Sequence, residues 1–560
     1  MDAVLQGFRL SPQQRFQWLR GRRDDVVQGV IALRGALDRA AVEAAVRRVV
    51  DRHEILRTRV QGRPGVRIPL QTVLGSAGPC WERVEPRDGI AALLREEARR
   101  LHAGGASCRF ALAERSATES LLAISLPALL ADAGSLAGLV AEIAAAYAAP
   151  EPYAAESEEA VQYLQFAEWR NEIVAEVEAE AGLRHWRGAE ALCRPIRLPL
   201  AAGTAGGEEA VPRSLAVTAL DGETADLLLR TGAAGDWLLA AWAGLLGRLT
   251  GEPAMTLACV LDGRKFEDLE RVVGLLAGPV PLHVASEEGF RFAEVVERTA
   301  AAWREAFRWQ EYFQPDESPF LADPRTVGFS FEEWPTSVEA AGVAWSLAER
   351  RLPDLPWQLD LRCVARDGGV ELELRYDAAV YQPEDAASLL SQLAALLRGG
   401  LGRPETPLRD LDLLDAAARR QLAELNATAA EPLDARTVHE LFARAAGATP
   451  QAPAVVCEDA AVSYGELDAM ANRLAHRLRR LGVGPEERVG ICLERSVGLI
   501  AAMLAVLKAG GAYVPLDPAL PVHRLATLLA EAGARVLVTR SPVAPEIGRA
   551  SCRERVLCVV

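Results

Sequence analysis

One turn concentrates the groups that could do chemistry. In Ser125-Leu-Pro-Ala-Leu-Leu-Ala-Asp-Ala-Gly-Ser135, the polar side chains beyond the first residue are Asp132 and Ser135. An aspartate placed here can accept a proton or hold the turn together. A serine three residues later can cap a helix or face a substrate. What the turn lacks is a group that titrates near neutral pH. Ala128 carries no ionisable atom, and Pro127 lacks even a backbone N–H. The chain has seven histidines, none adjacent to another. His53, between Arg52 and Arg57, reads as a structural or charge-linking residue, with a substitute base as the alternative. His185, beside Trp186, reads as a surface residue. Arg20, Arg22 and Arg23 form a basic run. It is either a solvated surface or a landing patch for an acidic partner or a phosphate.

The flanking elements explain why this turn would be a site. Leu121 to Leu126 reads as a buried strand, and Leu136, Leu139, Val140, Ile143 and Tyr147 recur at helical spacing. Active-site groups commonly sit on such strand-to-helix connections. Val26 to Arg34 reads as another strand. Asp38 can cap the next helix, whose core face is Val42, Ala45, Val46, Val49 and Val50. Glu151 to Glu159 is a polar bridge. Beyond it come an apolar helix from Trp237 to Leu249, a strand from Met255 to Leu261, a hairpin turning at Asp367-Gly-Gly369 and a helix from Pro383 to Leu397. Gly399 to Arg436 is rich in Pro, Ala and Asp, with one short helix from Asp415 to Leu425.

These motifs together resemble the condensation domains of non-ribosomal peptide synthetases. Leu10-Ser-Pro-Gln-Gln-Arg-Phe-Gln-Trp-Leu19 is similar to the first motif of that family, Arg52-His-Glu-Ile-Leu-Arg-Thr58 to the second and Tyr163-Leu-Gln-Phe-Ala-Glu-Trp169 to the fourth. Val273-Gly-Leu-Leu-Ala-Gly-Pro-Val-Pro-Leu282 resembles the fifth, with Gly278 and Pro279 where the family has Asn and Thr. Trp309-Gln-Glu-Tyr-Phe313 stands where the family has His-Gln-Asp-Tyr-Pro. The turn itself resembles the core motif His-His-x-x-x-Asp-Gly, whose second histidine is catalytic. Aligned on Asp132, the histidine positions hold Pro127 and Ala128. The resemblance implies that Asp132 is chiefly structural, pairing with an arginine for which Arg264 is one candidate. Heterocyclising relatives carry Asp-x-x-x-x-Asp-x-x-Ser here. This chain keeps Asp132 and Ser135 of that pattern but has Pro127 for the first aspartate.

A second resemblance follows. Val462-Ser-Tyr-Gly-Glu-Leu467 and Leu507-Lys-Ala-Gly-Gly-Ala-Tyr-Val-Pro-Leu-Asp517 are similar to the first two motifs of amino-acid adenylation domains. Strands and helices alternate around them, as at the start of a layered α/β domain. The Gly/Ser/Thr-rich phosphate loop of that family has no counterpart in the chain. Ile547-Gly-Arg-Ala-Ser-Cys-Arg-Glu-Arg-Val556 resembles the conceptual translation of a sequencing-library adapter. The natural protein is therefore expected to depart from this sequence near Glu546 and to continue into a full adenylation domain.

The expected fold is α/β (α+β). Two chloramphenicol-acetyltransferase-like lobes, 1–172 and 173–410, form a V with a tunnel between them. A linker spans 411–436, a partial α/β layered adenylation domain 437–546 and the adapter-like segment 547–560. With a charge of −15, nucleic acid and anionic membrane are poor partners. Nine scattered cysteines without a Cys-x-x-Cys, and no signal pattern, fit a reducing cytoplasm. The apolar run Leu121 to Val140 contains Pro127 and Asp132 and reads as core rather than membrane.

The resemblance implies action on phosphopantetheine thioesters presented by upstream and downstream carrier domains. It implies no cofactor or metal bound in this chain itself, and ATP with Mg only in a complete adenylation domain. Two readings stay open: a divergent condensation enzyme of reduced or non-standard activity, and an inactive docking module for carriers or a tailoring enzyme. Heterocyclisation is a minor third. Binding of ATP phosphates by the adenylation family needs a loop of backbone N–H donors. The chain is therefore expected to show no amino-acid-dependent pyrophosphate exchange above background. Exchange above background would overturn that reading.

Overall fold

The computed structural model describes residues 7–540 and 555–558, apart from 22–24, 63–64, 76–79, 86–88, 105, 150–160, 178, 200–212, 335–336, 429–435 and 458–459. The bridge expected at Glu151 to Glu159 and the arginines Arg22 and Arg23 lie outside the described residues. The chain divides into two units, Met1–Leu425 and Asn426–Val560.

The first unit is built on two six-stranded sheets. Val26–Arg34 and Glu119–Pro127 run antiparallel at the centre of the first sheet, pairing Val26 with Pro127 and Arg34 with Glu119. Both are buried along most of their length, because helices cover both faces. On one face lie Arg39–Arg52 and Ala133–Ala148. Leu94 of Ile90–Gly104 packs against the other. The face of Arg39–Arg52 that is buried is Val42, Ala45, Val46, Val49 and Val50, the expected set. Asp38 caps that helix, its carboxylate accepting from the Ala40 and Ala41 N–H groups.

The second sheet runs in the order Gly278–Ala285, Ala254–Leu261, Val327–Glu333, Leu359–Arg366, Gly369–Asp377, Arg213–Ala219. Helices Ala234–Thr250, Phe292–Trp309 and Pro383–Gly402 contribute to its core. The hairpin between Leu359–Arg366 and Gly369–Asp377 turns through Asp367 and Gly368, at φ 50° and 77°. A two-residue turn with both central φ values positive matches the right-handed twist of the strands.

The lobes are not sequential along the chain. Val343–Arg351, which follows the strand Val327–Glu333 of the second sheet, crosses over and pairs antiparallel with Val26–Arg34 of the first. Val338–Ala340 extends that edge. The apolar run expected to be core is the strand Glu119–Pro127, the turn and the helix Ala133–Ala148. Among the described residues no helix is long and apolar enough to cross a membrane.

The second unit carries a parallel sheet in the order Ala512–Pro515, Arg488–Cys492, Val536–Thr539, Arg555–Cys558. Helices Tyr464–Arg480, Val497–Ala509 and Val522–Ala532 accompany it. Arg555–Cys558 lies in the adapter-like segment. Its pairing uses the backbone groups that any extended segment can offer to a sheet edge. Lys508 of the second adenylation-like motif bonds Asp468 and Asn472 at 2.5 and 2.7 Å, tying two helices of the unit together.

Composition places a polar linker from about residue 411, yet Leu408 and Leu411 are both buried in the second-lobe core. Backbone bonds run from the Phe292 N–H to the Thr406 carbonyl and from the Leu408 N–H to the Phe290 carbonyl. Arg248 donates to the Leu411 carbonyl at 2.5 Å. Burying each leucine contributes about 1.5–3 kcal/mol. A chain ending at Leu425 is therefore expected to keep the urea midpoint of the first unit. A chain ending at Pro404 should unfold at clearly lower urea, and equal midpoints would contradict this packing.

Candidate active site

The turn after Glu119–Pro127 is held by Asp132. Its backbone is extended and its side chain caps Ala133–Ala148, accepting from the Ser135 N–H at 2.7 Å. The Ser135 hydroxyl lies 2.7 Å from the same carboxylate oxygen and 2.6 Å from the Gly274 carbonyl. The Gly274 N–H donates back to that hydroxyl at 3.0 Å. Arg264 grips Asp132 with both terminal nitrogens, at 3.1 and 2.9 Å. The Leu276 and Ala277 N–H groups reach Asp132 Oδ2, each at 2.9 Å. All the lone-pair directions of a carboxylate are thus engaged. Asp132 and Arg264 are 5% and 6% exposed, so the pair is out of water.

Burial alone would push the Asp132 carboxyl up. The Arg264 charge and its hydrogen bonds, with those of Ala277 and Ser135, outweigh burial and hold it below the usual carboxylate range. Asp132 is therefore an ionised anchor with no open lone pair for a substrate proton. Ser135 is the third helical residue rather than the cap; it closes the capping box, its hydroxyl accepting from the Asp132 N–H at 3.4 Å, and it is 1% exposed. Arg264 is the arginine partner of Asp132, and the glycine beside it explains how it fits. A Cβ on Gly134 would stand 2.5 Å from Arg264 Nη1.

Three further motifs meet at the same place. Tyr163 donates to the Leu275 carbonyl at 2.9 Å and bonds Ser11 at 2.8 Å. A Cβ on Gly274 would lie 1.9 Å from the Tyr163 ring. Motifs one, four and five thus fix one another's backbone around the clamp. His53 is elsewhere. It ends the helix Arg39–Arg52, is buried, and bonds Glu142 at 2.6 Å beside the Arg52–Glu142 pair. His185 packs edge-on to Trp186 and over Trp309, and burial pushes its pKa down. Arg20 contacts Gln17 and the Asp354 carbonyl, so it is tied into the fold.

Ala128 lines a cavity of about 130 Å³, together with Asp132, Gln13, Ser330, Glu332 and Arg362. A second, smaller cavity shares Gln13, Gly278 and Pro279 with it, and its own wall includes Arg170 and Glu311. Glu332 and Arg362 escape notice in the sequence because a charge within a strand resembles a solvated edge. For Arg362 the alternation Leu359-Asp360-Leu361-Arg362-Cys363 is the signal that could have found it, since it places two opposite charges on one buried face. Arg362 is 4% exposed. It donates to Asp360 at 2.9 Å and to the Pro353 carbonyl at 2.7 Å, and Nη1 has no partner among the described residues.

The N-terminus of Tyr464–Arg480, where an anion could sit, already holds the Ser463 hydroxyl and the Glu466 carboxylate.

Comparison with known proteins agrees with the geometry. Residues 11–423 match the Condensation domain family, and residues 442–559 match the family described as AMP-binding enzyme. The chain is 30% identical over 546 residues to chondramide synthase cmdD of Chondromyces crocatus, covering 91% of this chain and 14% of that protein. Among solved structures, the non-ribosomal peptide synthetase FmoA3 superimposes with a TM-score of 0.75 at 26% identity, over 99% of this chain and 60% of that one. The X-domain from teicoplanin biosynthesis, solved in complex with OxyB, shares the fold at a TM-score of 0.56 and 24% identity, over 74% of this chain and 98% of that one.

Removing one partner of a buried ion pair costs about 3–5 kcal/mol. Asp132→Ala is expected to lose that much in urea unfolding at pH 7. Because the folded state lowers the Asp132 pKa, its stabilisation is complete above the unfolded value of about 3.9 and is lost as pH falls through the lower folded value. The parent's advantage over Asp132→Asn should therefore shrink between pH 5 and strong acid, about where carboxylates titrate. A pH-independent difference would contradict the ionised clamp.

Proposed function

The chain belongs to the condensation-domain family of non-ribosomal peptide synthetases, and on that premise we propose that its cavity positions two carrier-tethered thioesters for amide formation without a histidine base. The donor is an acyl group and the acceptor an aminoacyl group, each on the phosphopantetheine arm of a carrier domain. The observation that carries this reading is the cavity itself. It keeps its place at the turn, with Ala128 in its wall and the Asp132 clamp intact behind it.

Aminolysis of a thioester asks mainly for geometry. The amine must approach the carbonyl carbon unprotonated and must lose a proton as the C–N bond forms. Positioning supplies much of the rate and needs no titratable group at position 128. Loss of a general base slows such a reaction by about 10²–10⁴-fold. Slow turnover that depends on the cavity is the expected behaviour.

Docking is the second reading, favoured by Ala128 and by the likeness to the X-domain fold. It has the same outer surface and an idle cavity.

The two readings separate in one experiment. Matched acyl- and aminoacyl-carrier domains incubated with the chain should give amide slowly, and filling the cavity with Ala131→Phe should abolish product without loss of carrier binding. Carrier binding with no amide from either protein would establish docking. Ala128→His is expected to restore activity only in part. Gly278 and Pro279 shape the same wall, and a Cβ at 278 would already lie 3.1 Å from Gln13.

A further inference from the structure

We infer that Glu332 is the proton acceptor of this cavity, taking over the task that the turn at Ala128 has lost. The inference rests on the reading that the cavity forms amides. Three ionisable side chains line the cavity among the described residues: Asp132, Glu332 and Arg362. Asp132 is fully engaged by Arg264, Ser135 and two backbone N–H groups. Arg362 is a cation and cannot accept a proton. Glu332 is the remaining group with basic lone pairs.

Its setting suits the task. Glu332 lies on Val327–Glu333, two residues after Ser330. Strand alternation puts these two on one face and Phe329 and Phe331 on the other, against the second-lobe core. The Trp334 indole donates to Glu332 Oε2 at 3.1 Å, and Arg350 Nε lies 3.5 Å from the same oxygen. Glu332 Oε1 has no hydrogen-bond partner among the described residues. One oxygen is anchored from two sides and the other keeps its lone pairs open. Arg350 comes from the crossing strand Val343–Arg351 and Arg362 from the neighbouring strand Leu359–Arg366, while Asp132 faces the cavity from the first lobe. The carboxylate is therefore oriented by Arg350 and Trp334 at one oxygen, with its side chain 17% exposed.

The step balances without any further reactant. The acceptor amine nitrogen attacks the donor thioester carbon, forming the C–N bond as the C–S bond breaks. The proton shed by nitrogen passes to Glu332 Oε1 and then to the departing thiolate. One amide and one free thiol result, and the carboxylate is regenerated.

The test uses the full chain with soluble N-acetylcysteamine thioesters, an octanoyl donor and a panel of the twenty aminoacyl acceptors. Glu332→Gln keeps the size and the Trp334 contact but cannot take the proton. Its kcat is expected to fall by about 10²–10⁴-fold with KM within threefold of the parent. In Glu332→Ala, added formate is expected to restore part of kcat, which a structural role would not allow. The thermal midpoints of both variants are measured alongside. If Glu332→Gln stays within threefold of the parent in kcat, or only its KM changes, the inference is overturned while amide formation by the cavity stands. If the parent makes no amide with any acceptor, both fall together.

Discussion

The buried pair of Asp132 and Arg264 is the constraint on which the first unit depends. Asp132 begins a helix of the first lobe, and Arg264 follows a strand of the second. Their contact joins sheets whose strands are far apart in sequence. A carboxylate taken out of water is costly unless its lone pairs are filled. Here they are filled by the guanidinium, the cap of its own helix and two N–H groups of the segment around Leu276. That segment must come close, which is why Gly274 lies against the Tyr163 ring and why Tyr163 in turn bonds Ser11. The turn, the fifth motif and Arg264 satisfy the charge directly, and the first and fourth motifs hold the fifth in place. None of those contacts requires the histidine that the family carries four residues earlier. The clamp does not depend on which residue stands at position 128, and the cavity beside it has Ala128 in its wall.

A second set of buried charges lies between strands of the second sheet and the crossing strand Val343–Arg351 with the segment after it. Arg362 and Asp360 pair on one strand, Arg375 bonds Asp354, and Arg350 lies between Glu332 and Glu373. Burial lowers the Arg375 pKa, with the nearby Arg362 charge acting in the same direction. Such a network is weak evidence for stability, since apolar residues of equal volume commonly do as well. Two of its members, Glu332 and Arg362, also line the cavity at Ala128.

Much of this architecture was legible in the residues. Val26–Arg34 follows from an apolar run, the helix after Asp38 from its cap and spacing, and the tight hairpin from Asp367-Gly368. The pairing of Asp132 with Arg264 followed from family likeness. Three things were hidden, each for a physical reason. The crossing of Val343–Arg351 into the first sheet is a long-range pairing that local alternation does not encode. Leu408 and Leu411 sit within a polar, Pro-containing stretch whose composition conceals two core residues. Glu332 and Arg362 are charges in strands, and their burial depends on a second lobe that no local window includes.

The cavity at Ala128 is proposed as the place where substrate sits. Hydrogen–deuterium exchange tests it without reference to turnover, using a carrier domain loaded with a non-hydrolysable aminoacyl-pantetheine amide. Binding is expected to slow exchange at residues 128–133 and in Val327–Glu333, the two segments that bring Ala128 and Glu332 to the cavity wall. Slowed exchange confined to surface segments, with both of these unchanged, would contradict it.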